Sequence, residues 1–221
     1  MKKLNLKTEI SMWLLMLVPL VYLAITWNEL PDRVPTHFNL QGEANDWSSK
    51  TTLAAVVFFT TVGLYLLLLF LPKLDPKRRI ESMGNTFHRL RFVMVLFMSG
   101  LMTYLIYNAT STDGLNPNLL LVLIGTLLAV LGNYFQAIKP NYFIGIRTPW
   151  TLESETIWRK THRLAGPLWM AGGILFALLA FVQHGTWREV LGIVIIATLV
   201  LVPTVYSFLE SKKEQKMKSN A

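Results

Sequence analysis

The chain has no cysteine among its 221 residues. That excludes a disulfide framework, a thiolate nucleophile and any Cys-ligated zinc centre. Charge is also scarce. Asp, Glu, Lys and Arg make up 15% of the residues, against about 25% in an ordinary soluble domain. Histidine occurs four times, as His37, His88, His162 and His184, and the topology derived below divides these between two sides of a membrane. There is no HExxH, no GxSxG and no carboxylate pair inside an apolar run, so the sequence offers no intramembrane metal or acyl-transfer centre. A non-enzymatic protein without metal or cofactor is expected.

What the chain has in quantity is apolar length. Hydrophobic residues make up 52% of it. A spanning helix needs about 20 mostly apolar residues, and six segments supply them: Ile10–Trp27, Thr52–Leu71, Phe92–Ala109, Leu119–Ala137, Leu164–Val182 and Val190–Leu209. None of these runs contains Asp, Glu, Lys or Arg, whereas every connection between them carries at least one. The first run follows Lys2, Lys3 and Lys7 in the manner of a signal peptide, but no small-x-small cleavage pattern comes after it, so it reads as a retained span. Pro19 and Pro203 fall inside the first and last runs. Membrane helices accept such kinks when neighbouring groups satisfy the freed carbonyl. The predicted fold class is all-α: a polytopic membrane protein with six transmembrane helices.

Orientation follows from the basic residues. Of 21 Lys and Arg, 18 fall in the two tails and the even-numbered connections and 3 in the odd-numbered ones. Both termini are therefore assigned to the cytoplasm. The net charge of +8 reads as this bias, and no direct nucleic-acid binding is expected. The implied organisation is 1–71, two spans joined by an outward loop at 28–51, then 72–221, spans three to six with a cytoplasmic segment at 132–166. Trp27, Trp47, Trp169 and Trp187 lie where interfacial anchors belong. Ala171, Gly172, Gly173 and Ala177 are spaced for close approach of another helix. The tail, KKEQKMKSNA, is expected to fray or rest on anionic lipid.

The outward loop, NELPDRVPTHFNLQGEANDWSSKT, is long for a structureless connection. Pro31 and Pro35 restrict the residues before them to extended geometry, Gly42 permits a turn, and Asp46 or Ser48 is positioned to cap the second span. His37, Asn39, Glu43 and Asp46 are polar ligands in a small compass. His37 with Glu43 and Asp46 matches no dedicated metal spacing, so a folded cap or ligand-receiving surface is the stronger expectation.

The inward segment is the densest in unusual residues. From Lys139 to Gly166 it holds two Trp, three Arg, two Lys and a His. Lys139-Pro140-Asn141 ends the fourth span and Thr148-Pro149-Trp150 forms a second turn. Thr151 is expected to cap an amphipathic interfacial helix beginning at Leu152 and leading into the fifth span, with hinges at Gly145–Pro149 and Gly166-Pro167. Trp158, Thr161, His162 and Ala165 share one face of it by helical spacing, away from Arg159, Lys160 and Arg163. This face serves either an interfacial elbow or a partner-docking surface, and a lone His162 there is more often a hydrogen-bonded structural residue than a catalyst.

GNYFQAIKPNYFIGIRTPWTLESETIWRKTHRLAG resembles the signature of the SdpI-like immunity proteins, which are bacterial multi-pass membrane proteins. The matching positions are Gly132, Asn133, Tyr134, Asn141, Gly145, Ile146, Arg147, Thr148, Trp150, Thr151, Leu152, Trp158, Thr161, His162 and Gly166. The outward loop is similar to a companion domain of unknown function that often precedes this signature, through Pro35, His37, Gly42, Asp46 and Lys50. The resemblance implies residence in a bacterial cytoplasmic membrane and immunity to a secreted antibacterial peptide toxin. It also implies signalling by sequestration of a small cytoplasmic transcriptional repressor at the membrane. On this reading the toxin would meet Pro35, His37, Asn39, Gly42, Asp46, Trp47 and Lys50, and the output would run through Asn133 to Gly166. The alternative is a transporter or exporter, against which the absence of ionisable residues in the six runs argues.

Overall fold

In a computed structural model the chain is described over residues 6–38, 44–111, 115–183 and 185–219. The described chain runs α1 (Leu6–Thr26), β1 (Arg33–Phe38), β2 (Ala44–Ser49), α2 (Lys50–Phe58), α3 (Leu64–Leu74), α4 (Asn85–Thr110), α5 (Pro117–Phe135), α6 (Pro149–Glu153), α7 (Glu155–Leu178) and α8 (Thr186–Ser219). A π turn, Phe59–Gly63, joins α2 to α3 as one span. Among the described residues six helical segments are long and apolar enough to cross a membrane, and each overlaps one predicted run. The all-α, six-span expectation therefore holds, with 78% of the chain helical. Pro19, Pro167 and Pro203 lie within continuous helices.

The chain forms two compact units. The first comprises residues 1–70 and 88–120. Its core packs Leu23 of α1 with Leu53 and Val57 of α2 and with Met102 and Ile106 of α4. The first connection closes over this core as an antiparallel hairpin, β1 against β2, with Arg33 opposite Ser49 and Val34 opposite Ser48. Val34 is fully buried and joins the core together with Leu30. The expected folded cap is thus a β-hairpin, a form the sequence reading did not assign. Register shifts on either side of His37 interrupt the two-residue alternation that would have revealed strands. Ser49 caps α2 by accepting from Thr52 N (3.1 Å). Asp46 and Ser48 do not take that role: α2 begins at Lys50, so the cap position falls on Ser49, and Asp46 instead accepts from Trp47 N.

The second unit comprises residues 71–87 and 121–221. Here α5 and α7 cross at glycine. A Cβ on Gly132 would lie 2.5 Å from Met170 N and 2.7 Å from Gly166 O, and one on Gly125 would lie 2.5 Å from Ala177 N. Gly173 meets Ala129 on the same seam, while Gly172 faces Leu199 of α8. The small residues of the fifth span therefore serve two neighbours, as close membrane-helix packing requires. Trp169 donates through Nε1 to Leu199 O (2.9 Å). It is thereby tied to α8 as well as placed near a span end. The segment expected to fray is helical as far as Ser219, because Glu214 receives a hydrogen bond from Ser154 (2.9 Å) and Glu210 pairs with Lys160 (2.6 Å).

Candidate functional site

The second unit assembles most of the signature into one buried cradle. Asn141, 2% exposed, fills its hydrogen-bonding capacity within the loop that follows α5. Its amide Nδ2 donates to Lys139 O (2.8 Å) and Ile144 O (3.1 Å), and its Oδ1 accepts from Phe143 N and Ile144 N (both 2.8 Å). An amide side chain can do both, and a carboxylate cannot. The loop then turns at Gly145, whose φ of +105° suits glycine. A Cβ there would also run into His162 Nε2 and crowd the Trp158 ring.

His162 explains the close approach. Its Nε2 accepts from Ile146 N (3.0 Å) and its Nδ1 donates to Trp158 O (2.9 Å). That pair of bonds requires a neutral ring with the proton on Nδ1. The ring stacks on Trp158 at 4.1 Å and meets Phe135 edge-on at 5.7 Å. Trp158 in turn donates through Nε1 to Ile138 O (2.9 Å). Trp158, Thr161, His162 and Ala165 are all at most 1% exposed, so the predicted helical face is the buried one. Arg159, Lys160 and Arg163 are exposed. His162 acts here as the expected hydrogen-bonded structural residue.

The capping expectation requires correction. Thr148 caps α6, and Thr148 and Thr151 form a reciprocal capping box: Thr151 N donates to Thr148 Oγ1 (3.2 Å) and Thr148 N donates to Thr151 Oγ1 (2.9 Å). Thr151 is thus the third helical residue and fully engaged, its hydroxyl also donating to Ile146 O (2.8 Å). A second start follows at Ser154, which caps α7 by accepting from Ile157 N (3.4 Å). The helix then runs through Gly166-Pro167 without a break, so the amphipathic stretch and the fifth span are one element and the expected hinge there is absent. Gly166 serves the α5 crossing.

Three signature residues stay outside the cradle. Asn133 is exposed. Arg147 is exposed and donates to Tyr142 O (2.6 Å). Trp150 is half-buried against Phe208, ring centroids 5.1 Å apart. Several residues of the cradle lie beyond what motif reading could find. Ser207 meets Thr148 hydroxyl to hydroxyl (3.0 Å). Lys139 donates to Ser82 O (3.0 Å), and Arg79 forms an ion pair with Glu155. These partners come from distant stretches of chain and carry no local signal.

In the first unit the loop candidates divide differently. His37 is exposed and donates from Nδ1 to Asn45 Oδ1 (2.6 Å). Asp46 accepts from Trp47 N (2.8 Å). Trp47 is 46% exposed, and Pro35 stands opposite it in the ladder. Lys50 latches the hairpin base, 3.5 Å from Asp32 and 5.4 Å from the Trp27 ring centroid. Asn39, Gly42 and Glu43 lie outside the described residues.

The same unit holds a cluster that the apolar runs concealed. Glu9 of α1 and Arg91 of α4 form a two-pronged ion pair, Nη1 to Oε1 at 2.8 Å and Nη2 to Oε2 at 3.1 Å, with both side chains 3% exposed. Tyr65 donates to Glu9 Oε2 (2.8 Å) and receives Trp13 Nε1 (2.7 Å). The guanidinium lies 5.5 Å from the Tyr65 ring centroid. Each charge sits one residue outside a predicted run, although the helices carry both inward.

Among known families, residues 137–207 match the SdpI/YfhL protein family and residues 14–64 match a domain of unknown function, DUF1648. The chain is 25% identical over 194 residues to the immunity protein SdpI of Bacillus subtilis strain 168, an alignment covering 86% of this chain and 88% of that protein. No solved structure matches it. The first match takes in the loop after α5, α6, α7 and most of α8, the second takes in the hairpin between the first two spans, and the chain, with six helices long and apolar enough to cross a membrane, is similar over these stretches to the SdpI/YfhL family and to DUF1648.

Proposed function

We propose that this protein confers immunity to a secreted, membrane-active antibacterial peptide, from within a bacterial cytoplasmic membrane and with both termini in the cytoplasm. The observation that carries the reading is the near full-length similarity to the immunity protein SdpI, joined to the 18-to-3 division of basic residues. In that orientation the hairpin, with exposed Trp47 and His37, is the first surface an external peptide meets. The cradle faces inward, where Arg147 and the α7–α8 end are available to a small transcriptional repressor. A ligand shifts such a protein only by favouring one arrangement energetically, so peptide binding and repressor capture must favour the same arrangement of the spans, one that is scarce without peptide.

The test is expression in a peptide-sensitive strain, with membrane insertion confirmed and survival measured under challenge. Unchanged killing across a panel of secreted peptides, with the protein present, refutes immunity. Repressor capture is read separately, as co-purification of a DNA-binding partner only after challenge.

The Glu9–Arg91 pair favours one second reading. Buried ionisable groups in membrane helices commonly mark transport pathways. Ion or proton flux in proteoliposomes, lost in Glu9→Gln, would support transport. No flux above protein-free vesicles rejects it.

A further inference from the structure

We infer that the α7–α8 end of the second unit is a binding surface for anionic phospholipid, with Arg163 and Lys212 each meeting headgroup phosphate at the edge of the apolar band. The argument begins with which charges are already used. Glu210 is paired with Lys160 (2.6 Å) and Lys213 (2.8 Å). Glu214 is paired with Lys218 (2.8 Å) and accepts from Ser154 (2.9 Å). The Lys160 and Ser154 bonds pin the end of α8 to the start of α7, and the four together use both carboxylates of the α8 end. Arg163 and Lys212 are exposed, and neither has an acidic partner among the described residues.

Position then selects the ligand. Arg163 directly precedes the apolar run at Leu164, and Lys212 follows the run that ends at Leu209. Their charges therefore lie at headgroup depth, with stems able to lie along apolar surface. Aromatic surface lies beside Lys212: its Nζ is 5.6 Å from the Phe208 ring centroid, Phe208 is 39% exposed, and Trp150 packs on it. A cation beside exposed aromatic surface suits an interface that is hydrocarbon on one side and phosphate on the other. A soluble acidic partner would instead read Lys216 and Lys218, farther along α8. The inference is independent of the immunity reading and does not need it to hold.

The experiment is native mass spectrometry of the full chain released from detergent, titrated with phosphatidylglycerol and, separately, with phosphatidylcholine. Each basic side chain near an anionic surface contributes about fivefold in affinity, from roughly 1 kcal/mol. The Arg163→Gln/Lys212→Gln variant is therefore expected to bind phosphatidylglycerol roughly thirty-fold more weakly, with phosphatidylcholine unchanged. Lys216→Gln/Lys218→Gln should leave both affinities near those of the parent chain. Equal affinity of the parent for the two lipids overturns the inference. So does a loss confined to the Lys216/Lys218 variant, which would move the phospholipid contact to the far end of α8. A check that needs no variant is salt: added NaCl should weaken phosphatidylglycerol binding selectively, and salt-independent binding also overturns the inference.

Discussion

Glu9 and Arg91 offer the sharpest test of how the first unit is held together. Both side chains are 3% exposed, and the carboxylate receives three donors: two guanidinium N–H groups and the Tyr65 hydroxyl. Such a pair adds little net stability over a well-packed apolar replacement, because two charges must be desolvated. Removing one partner is different, since the other charge stays buried without compensation. Glu9→Met and Arg91→Met should each destabilise by about 3–5 kcal/mol. The double variant should cost less than either single one, because it leaves no charge behind. Tyr65→Phe removes a bond to a charged group and should cost about 1.5–3 kcal/mol. The assay is denaturant unfolding in mild detergent, followed by circular dichroism, for all four variants and the parent chain. Single-variant losses that add in the double variant to within about 0.5 kcal/mol would mean no coupling. That result refutes the claim that the pair is buried and mutually compensating.

Three further outcomes are expected. Gly145→Ala places a Cβ against His162 Nε2 at φ +105°, and strain of about 1–3 kcal/mol plus one lost bond of about 1 kcal/mol should lower the thermal midpoint measurably; an unchanged midpoint contradicts the cradle geometry. Gly132→Ala should prevent accumulation of folded protein, because its Cβ meets backbone of α7, whereas Gly100→Ala has nothing within 4 Å and should gain roughly 0.4–1 kcal/mol, both read by yield and thermal midpoint in detergent. Arg147→Gln removes an exposed bond to Tyr142 O and should leave yield and midpoint near those of the parent; if it abolishes signalling while protection survives, Arg147 belongs to the output, and a collapse in yield assigns it to the scaffold.

The sequence made the spans legible because apolar length is a property of consecutive residues. It made the face of Trp158, Thr161, His162 and Ala165 legible for the same reason, since helical spacing alone sets it. It misplaced caps by three residues at Thr148 and, with Asp46 or Ser48 expected, by three or one at Ser49, where several side-chain oxygens compete and only backbone geometry chooses. It did not reveal the hairpin strands, because register shifts around His37 remove the alternation and Val34, the one deeply buried strand residue among the described ones, gives no pattern. Glu9 and Arg91 escaped because their partnership spans 82 positions, and each looked like an ordinary charge at a span end.

The burial pattern changes what the signature can mean. Asn141, Thr148, Thr151, Trp158, Thr161, His162 and Gly166 are all buried, and apart from Thr161 and Gly166 their polar groups bond to one another or to nearby backbone. Residues so placed cannot touch a partner without the cradle opening, and opening it would break several of these bonds together. Their shared task is to fold the 138–148 connection against α7 in one conformation. Any recognition by this unit therefore falls to what the folded connection presents: Arg147, with Tyr142 and Phe143 beside it at 41% and 37% exposure, and the basic end of α7 and α8. Relatives that carry this signature should share the scaffold first. Members with different ligands would be expected to differ at these exposed positions and at the hairpin, while the buried set stays fixed by its own geometry.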